Sequence, residues 1–221
     1  MTAVGKEVRR GRPPRLSREA ILMAALDMLE REPDLAFSLN GLARALKVTP
    51  MALYTYFGSR DDLLQALTER LLSGFVTVVD PEMPAIRRVE AWCFAARRFF
   101  LGYPQLLGLL TWEGGNTSVA WFDRSVVLIE ALQELGLKDA ELSRAIIWIW
   151  TSVMGAISEE IRNRTAPHSL SPAQVESLDP RLQGPVGAML TLAEQSDHFD
   201  SFFAYHVERL LDALGAIAAR P

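Results

Sequence analysis

Apolar side chains recur at spacings of three and four residues along nearly the whole chain, and no stretch alternates convincingly with period two. That spacing gathers them on one face of a helix, whereas a half-buried strand would alternate. The chain is therefore expected to be all-α. Breaks at Pro33, Gly58, Pro81, Pro84, Pro104, Gly114-Gly115, Gly136, Pro167, Pro180 and Gly184-Pro185 cut it into helices of ordinary length.

The first helix begins at Ser17, a good N-cap, and carries Ile21, Leu22, Ala25, Leu26 and Leu29 on one face. A short second helix follows Ser38 and buries Leu39, Leu42, Ala43 and Leu46. A third starts at Thr49 with Pro50 in its first position, where a missing N–H costs nothing. Leu53 and Phe57 face inward from it, and Gly58 ends it. Ser59 caps the fourth, with Asp62 placed as in a capping box. The segment from Ser38 to Phe57 thus has the shape of a helix-turn-helix, turning at Leu46-Lys47-Val48. Its second helix projects Met51, Ala52, Thr55 and Tyr56, the surface that a recognition helix needs in a major groove. Ala52 and the Thr55 methyl suit thymine methyls, and the Thr55 hydroxyl suits a base edge. Tyr54, Tyr56, Lys47 and Arg60 can contact phosphates. Later helices are expected near 85–102, 104–112, 118–135, 139–163, 172–178, 185–195 and 198–219.

Charge supports the same division of labour. The chain of 221 residues carries a net charge of −4, which by itself argues against a nucleic-acid partner. Yet residues 1–18 hold Lys6, Arg9, Arg10, Arg12, Arg15 and Arg18 against Glu7 alone, while residues 73–221 hold 12 basic and 18 acidic side chains. The basic front end suits an anionic partner. Cys93 stands alone, which excludes an internal disulfide and a four-cysteine zinc site. The longest strongly apolar run, Ala145 to Ile157, is 13 residues, short of the roughly 20 that span a bilayer. With no apolar run before Ile21, no signal peptide is expected, and the protein is expected to be cytoplasmic with no membrane association. His168, His198 and His206 have no metal-ligand spacing, and neither a phosphate loop nor a Gly-x-Ser-x-Gly elbow occurs, so enzyme activity, metal and cofactor are not expected.

The run FSLNGLARALKVTPMALYTYFGSRDDLLQAL resembles the DNA-binding domain of the TetR family of bacterial one-component repressors. Leu42, Ala43, Leu46, Val48, Leu53, Tyr54, Phe57 and Leu63-Leu64 carry the resemblance, which is strong over 17–72. Beyond that it rests chiefly on FDSFFAYHVERLLDAL. Gly5, Gly11, Pro13 and Pro14 make residues 1–16 a flexible basic arm, and the resemblance implies a helix-turn-helix domain (17–72) and a larger helical domain for ligand binding and dimerisation (73–221). On the family's pattern the recognition helix is Thr49 to Phe57. Pro50, Met51, Ala52, Thr55 and Tyr56 face the groove, and Tyr54 and Arg60 touch phosphates. Ser38 and Asn40 match polar positions that open helix two. The chain departs from the family at Lys47, where the turn usually has glycine, and at Met51, which offers no hydrogen bond. The arm around Arg12 resembles an AT-hook that reads a narrow minor groove, or else is a solvated tail that adds salt-sensitive affinity.

All five tryptophans lie beyond residue 73. The resemblance implies a small-molecule pocket there, for which Trp92, Phe99, Trp112, Phe122, Trp150 and Met154 are candidates, with Glu113 as the polar group. A core rich in aromatics accounts for the same residues. Arg87, Arg88, Arg97 and Arg98 read as a solvated face. The last helix has two adjacent apolar rows, Phe199, Phe203, His206, Leu210 and Phe202, Val207, Leu211, Leu214, and so must be covered on two sides. The resemblance implies a homodimer through the helices near 139–163 and 198–219, with Phe203 and Gly155 at the contact. The expected function is a ligand-responsive transcriptional regulator, a repressor released from a palindromic operator by a small molecule. The alternative is a DNA-binding regulator without such a ligand, controlled by abundance or by a protein partner.

Overall fold

The structure, a computed structural model, describes residues 16–31, 38–80, 82–104, 106–107, 119–165 and 170–218. Among these residues there are eleven helices and no strand: α1 (Arg18–Arg31), α2 (Leu39–Ala45), α3 (Pro50–Tyr54), α4 (Arg60–Leu72), α5 (Ala85–Gly102), α6 (Val119–Arg124), α7 (Val126–Glu134), α8 (Asp139–Thr165), α9 (Pro172–Glu176), α10 (Pro180–Ala193) and α11 (His198–Ala218). The fold is all-α. No helix among the described residues is long and apolar enough to cross a membrane.

The chain packs as two compact units that divide between Leu67 and Thr68. In the first, Ile21, Leu22, Ala25 and Leu29 of α1 are buried with Leu42, Ala43, Leu53, Phe57, Leu63, Leu64 and Leu67. These are the residues whose periodicity marks the helices, because the face that repeats every three to four residues is the one withdrawn from water. The caps also form. Ser17 accepts from the Ala20 amide at 3.1 Å, Ser38 from Gly41 at 3.3 Å and Ser59 from Asp62 at 3.0 Å.

In the second unit α5 is central and packs against α7, α8 and α11. It buries Ala85, Val89, Trp92, Cys93, Ala95, Ala96, Arg97 and Phe100. Burial pushes the Cys93 thiol up to about 12, so it is an inert core group. The remaining core includes Phe75, Trp121, Leu128, Ile149, Val153, Ile157, Phe203, Val207, Leu210 and Leu214.

Three expected helices of the second unit differ. The segment 118–135 is two helices interrupted at Ser125, whose hydroxyl donates to the Trp121 carbonyl at 3.0 Å. The expected helix 172–178 ends at Glu176. The helix expected from 185 begins at Pro180 and continues through Pro185. Asp179 caps it by accepting from the Arg181 amide at 2.9 Å, and Pro180 takes the first position, so the start signal outweighs the break at Pro185. Neither α9 nor α10 contains a buried residue. Most of the segment 104–112 lies outside the described residues, as does the arm with Arg12.

Candidate nucleic-acid interface and aromatic pocket

α2 ends in a Schellman turn. The Lys47 amide donates to the Arg44 carbonyl at 3.1 Å and the Val48 amide to Ala43 at 2.9 Å. Lys47 sits at the turn's left-handed position with φ of 57°. The geometry that favours glycine is thus kept with a side chain that must tolerate it. The turn leads to Thr49, an extended N-cap that makes no side-chain cap hydrogen bond.

α3 is shorter than the expected 49–57. It ends at Tyr54, and the chain tightens through amides of Thr55 to Ala52 at 3.4 Å and Tyr56 to Leu53 at 3.0 Å. Leu53 is 2% exposed and Phe57 1%, whereas Met51 is 73% exposed. Pro50, Tyr54 and Thr55 are exposed and Ala52 is half-buried. Ser38, Asn40, Lys47, Thr49 and Arg60 are exposed on the same unit. Lys47 has no acidic partner among the described residues, and Arg60 lies 4.0 Å from the exposed Asp61.

Tyr56 behaves differently from its neighbours. Its hydroxyl donates to the Leu16 carbonyl at 2.8 Å, so that proton is engaged inside the protein. Arg18 completes this latch. Its guanidinium lies 4.2 Å from the centre of the Phe57 ring, and Nη1 donates to the Tyr56 carbonyl at 2.9 Å. Nη2 meets Asp62 at 3.3 Å. The other Asp62 oxygen accepts from the Gly58 amide at 2.9 Å. That amide, and then Arg18, hold the Asp62 carboxyl below the usual range. The sequence shows Arg18 only as one of six basic residues at the front end. Its partners lie 38 and 44 residues away, beyond any local pattern.

Four of the candidate pocket residues, Trp92, Phe99, Phe122 and Trp150, join one aromatic cluster, around a centre that periodicity did not mark. Trp121 is buried, with ring centroids 4.7 Å from Trp150, 5.8 Å from Trp92, 5.6 Å from Phe100 and 5.6 Å from Phe75. Phe122 stacks on Trp150 at 5.9 Å, and Phe99 meets Phe75 at 5.4 Å. Trp92 is fully buried and is core. Phe99, Trp150 and Met154 are half-buried, and Phe122 is exposed. The buried indole N–H groups of Trp92 and Trp150 have no hydrogen-bond partner among the described residues. Trp112 and Glu113 lie outside the described residues.

The four arginines of α5 are not one solvated face. Arg87 is exposed and pairs with Glu90, Arg88 is mostly buried and pairs with Glu134, and Arg98 is exposed. Arg97 is buried. Its Nε and Nη2 grip Glu160 of α8 at 2.7 and 2.8 Å, and Nη2 also meets Asp200 of α11 at 2.6 Å. Arg164 reaches the same Glu160 at 2.8 Å. Neighbouring i+1 charges look alike in sequence, but the helix turns about 100° per residue, so Arg97 faces the core and Arg98 does not.

The outer face of α11 also differs from expectation. Phe203 is 1% exposed inside the protomer, with its ring 5.5 Å from Phe94 and its face under Arg97. It is therefore not available as a subunit contact. The exposed apolar side chains are Phe202 and Tyr205 on α11 and Ile147 on α8, and Gly155 is exposed with open space around it.

Residues 21–67 match the family model of bacterial regulatory proteins, tetR family. The chain is 25% identical to the HTH-type transcriptional repressor DrrR1 of Streptomyces coeruleorubidus, over 98% of this chain and 83% of that protein. Its fold resembles that of apo ActR from Streptomyces coelicolor (TM-score 0.71, 21% identity, 94% of this chain and 97% of the other). The similarity to ActR in complex with (S)-DNPA is comparable (TM-score 0.65, 23% identity, 93% and 98%). BioQ with its double-stranded DNA operator aligns at a TM-score of 0.64 with 21% identity, over 91% of this chain and 99% of the other, and BioQ of Mycobacterium smegmatis aligns at 0.65 with the same identity and the same shares of the two chains.

Proposed function

Because this chain belongs to the TetR family of DNA-binding transcriptional regulators, we propose that it is a repressor that leaves a palindromic operator when a small molecule binds. The observation that carries the proposal is the two-sided character of α3. Leu53 and Phe57 are sunk in the core while Met51, Tyr54 and Thr55 stand in solvent, so the helix is held rigidly by one side and offers the other. In this reading Pro50, Met51, Ala52 and Thr55 enter the major groove with Thr49 at its edge, and Thr55 hydrogen-bonds a base. Tyr54, Lys47, Arg60, Ser38 and Asn40 hold phosphates, which fixes register without reading sequence. Tyr56 supports the surface through its latch to Leu16. Arg12 and the rest of 1–16 supply electrostatic affinity, 17–72 reads the operator, and 73–221 binds the effector and the second subunit.

The effector would lie beside the half-buried Trp150, Met154 and Phe99, with Phe122, Trp112 and Glu113 contributing; the fully buried Trp92 backs the site. Flat aromatic surfaces suit a flat, largely apolar molecule. A homodimer through α8 and α11 would place two copies of α3 one DNA turn apart. Release needs only that the effector favour a different spacing of these helices.

The test begins with operator selection from random duplexes, followed by affinity measurements on the selected and on scrambled DNA. Tyr54→Phe should weaken both about equally. Thr55→Ala should cost about 1–3 kcal/mol on the selected sequence and little on the scrambled one. Equal losses for both variants on both duplexes would overturn this division of roles.

A further inference from the structure

Arg98 is exposed and has neither a carboxylate nor a hydrogen-bond acceptor among the described residues. It stands as the shared wall of two recesses on α5. One, of about 420 Å³, is lined by Phe94, Arg97, Arg98 and Leu101, positions that fall on one stripe of the helix. The other, of about 240 Å³, includes Val76, Phe99 and Tyr103. In the larger recess Arg97 contributes a guanidinium whose Nε and Nη2 are committed to Glu160 and Asp200, which leaves Nη1 without an acceptor among the described residues. Those two carboxylates and Arg164 fix that guanidinium in place and leave the group of four near neutrality, so Arg98 supplies an uncompensated positive charge at its rim. Phe94 and Leu101 give the recess apolar walls.

We infer that this recess binds a small amphipathic anion, a carboxylate with a short apolar tail, distinct from any effector held at the Trp121 cluster. The carboxylate lies between Arg98 and the open Nη1 of Arg97, and the tail lies on Phe94 and Leu101. The anchored, buried Arg97 and the exposed, unpaired Arg98 both favour a charged acceptor over a neutral one, since a charge-assisted bond is roughly twice as strong. A guanidinium already anchored by other partners loses little freedom on binding.

The probes are octanoate and the uncharged octanol, titrated into the full-length protein by calorimetry. Octanoate should bind saturably with one site per chain and at least tenfold more tightly than octanol. Arg98→Gln should weaken octanoate at least tenfold and leave octanol and the melting temperature unchanged, because Arg98 has no partner to lose. Arg98→Lys should restore most of the affinity, and Leu101→Asn should weaken octanoate while sparing the melting temperature. Equal binding of octanoate and octanol would overturn the inference, as would an octanoate affinity indifferent to Arg98→Gln. Octanoate binding lost in Trp150→Ala but kept in Arg98→Gln would place the anion at the aromatic cluster, which sinks this site and leaves the proposed effector pocket standing. Absence of saturable octanoate binding would reject the site without touching that pocket.

Discussion

At the scale of single residues, Lys47 and Gly136 occupy the same position in the same kind of turn. Gly136 has φ of 92°, and the Leu137 amide closes onto the Leu132 carbonyl at 3.1 Å just as Val48 closes onto Ala43. An L residue pays roughly 1–2 kcal/mol for the left-handed region, and glycine does not. Lys47→Gly should therefore raise the unfolding free energy of the N-terminal unit by about 1 kcal/mol, measured in urea. The same variant should weaken binding to all DNA sequences, because it removes a cation that the proposed surface directs at a phosphate. A variant no more stable than the wild type would show that the lysine is unstrained.

Among the elements, the helices of the first unit were legible in the sequence because their signals are local. Ser17, Ser38 and Ser59 announce helix starts within three residues of the amides they accept from, and the Leu and Ile stripes mark the buried face. The ends of α3 and α10 were less so. α3 closes in tight turns after Tyr54, and α10 starts at Pro180 behind its Asp179 cap and tolerates Pro185, which are contests between signals of similar strength. The site was legible only in part. Exposed Met51 and Thr55 follow from burying Leu53 and Phe57, but the Tyr56 hydroxyl is spent on Leu16, 40 residues away. Trp121, Arg18 and Arg97 matter through partners that no periodicity brings together. The latch makes a pH prediction. The Asp62 carboxyl is held below its ordinary value by the Gly58 amide and Arg18, so its contribution is fully present above the unfolded carboxylate range and is lost as pH falls through its folded value. Between pH 7 and pH 3 the wild type should lose more thermal stability than Asp62→Asn. Parallel curves would mean that the latch contributes nothing.

At the scale of the whole molecule, the second unit is tied together by a charge cluster with a buried Arg97–Glu160 pair at its centre, as well as by its core. Arg97, Glu160 and Asp200 bring α5, α8 and α11 to one point, with Glu160 only 4% exposed. Replacing one partner leaves the other charge buried, and Arg164 compensates only partly. Arg97→Leu should cost about 3–5 kcal/mol of stability, and the double variant Arg97→Leu/Glu160→Leu should recover most of it. Failure of the second substitution to rescue would show that the arginine acts by packing alone. Because Phe203 is core, the proposed dimer is tested at Phe202, which is 58% exposed. Phe202→Glu should yield monomers by light scattering with an unchanged melting profile at high dilution, whereas a persisting dimer would place the contact elsewhere. The latch has a further consequence for stiffness. The Tyr56 hydroxyl holds the Leu16 carbonyl and Arg18 holds the Tyr56 carbonyl, so two stretches 38 to 40 residues apart in the chain are tied to each other. In the proposed reading, the surface built on Pro50 to Thr55 therefore meets DNA already ordered, with little conformational entropy left to lose on binding.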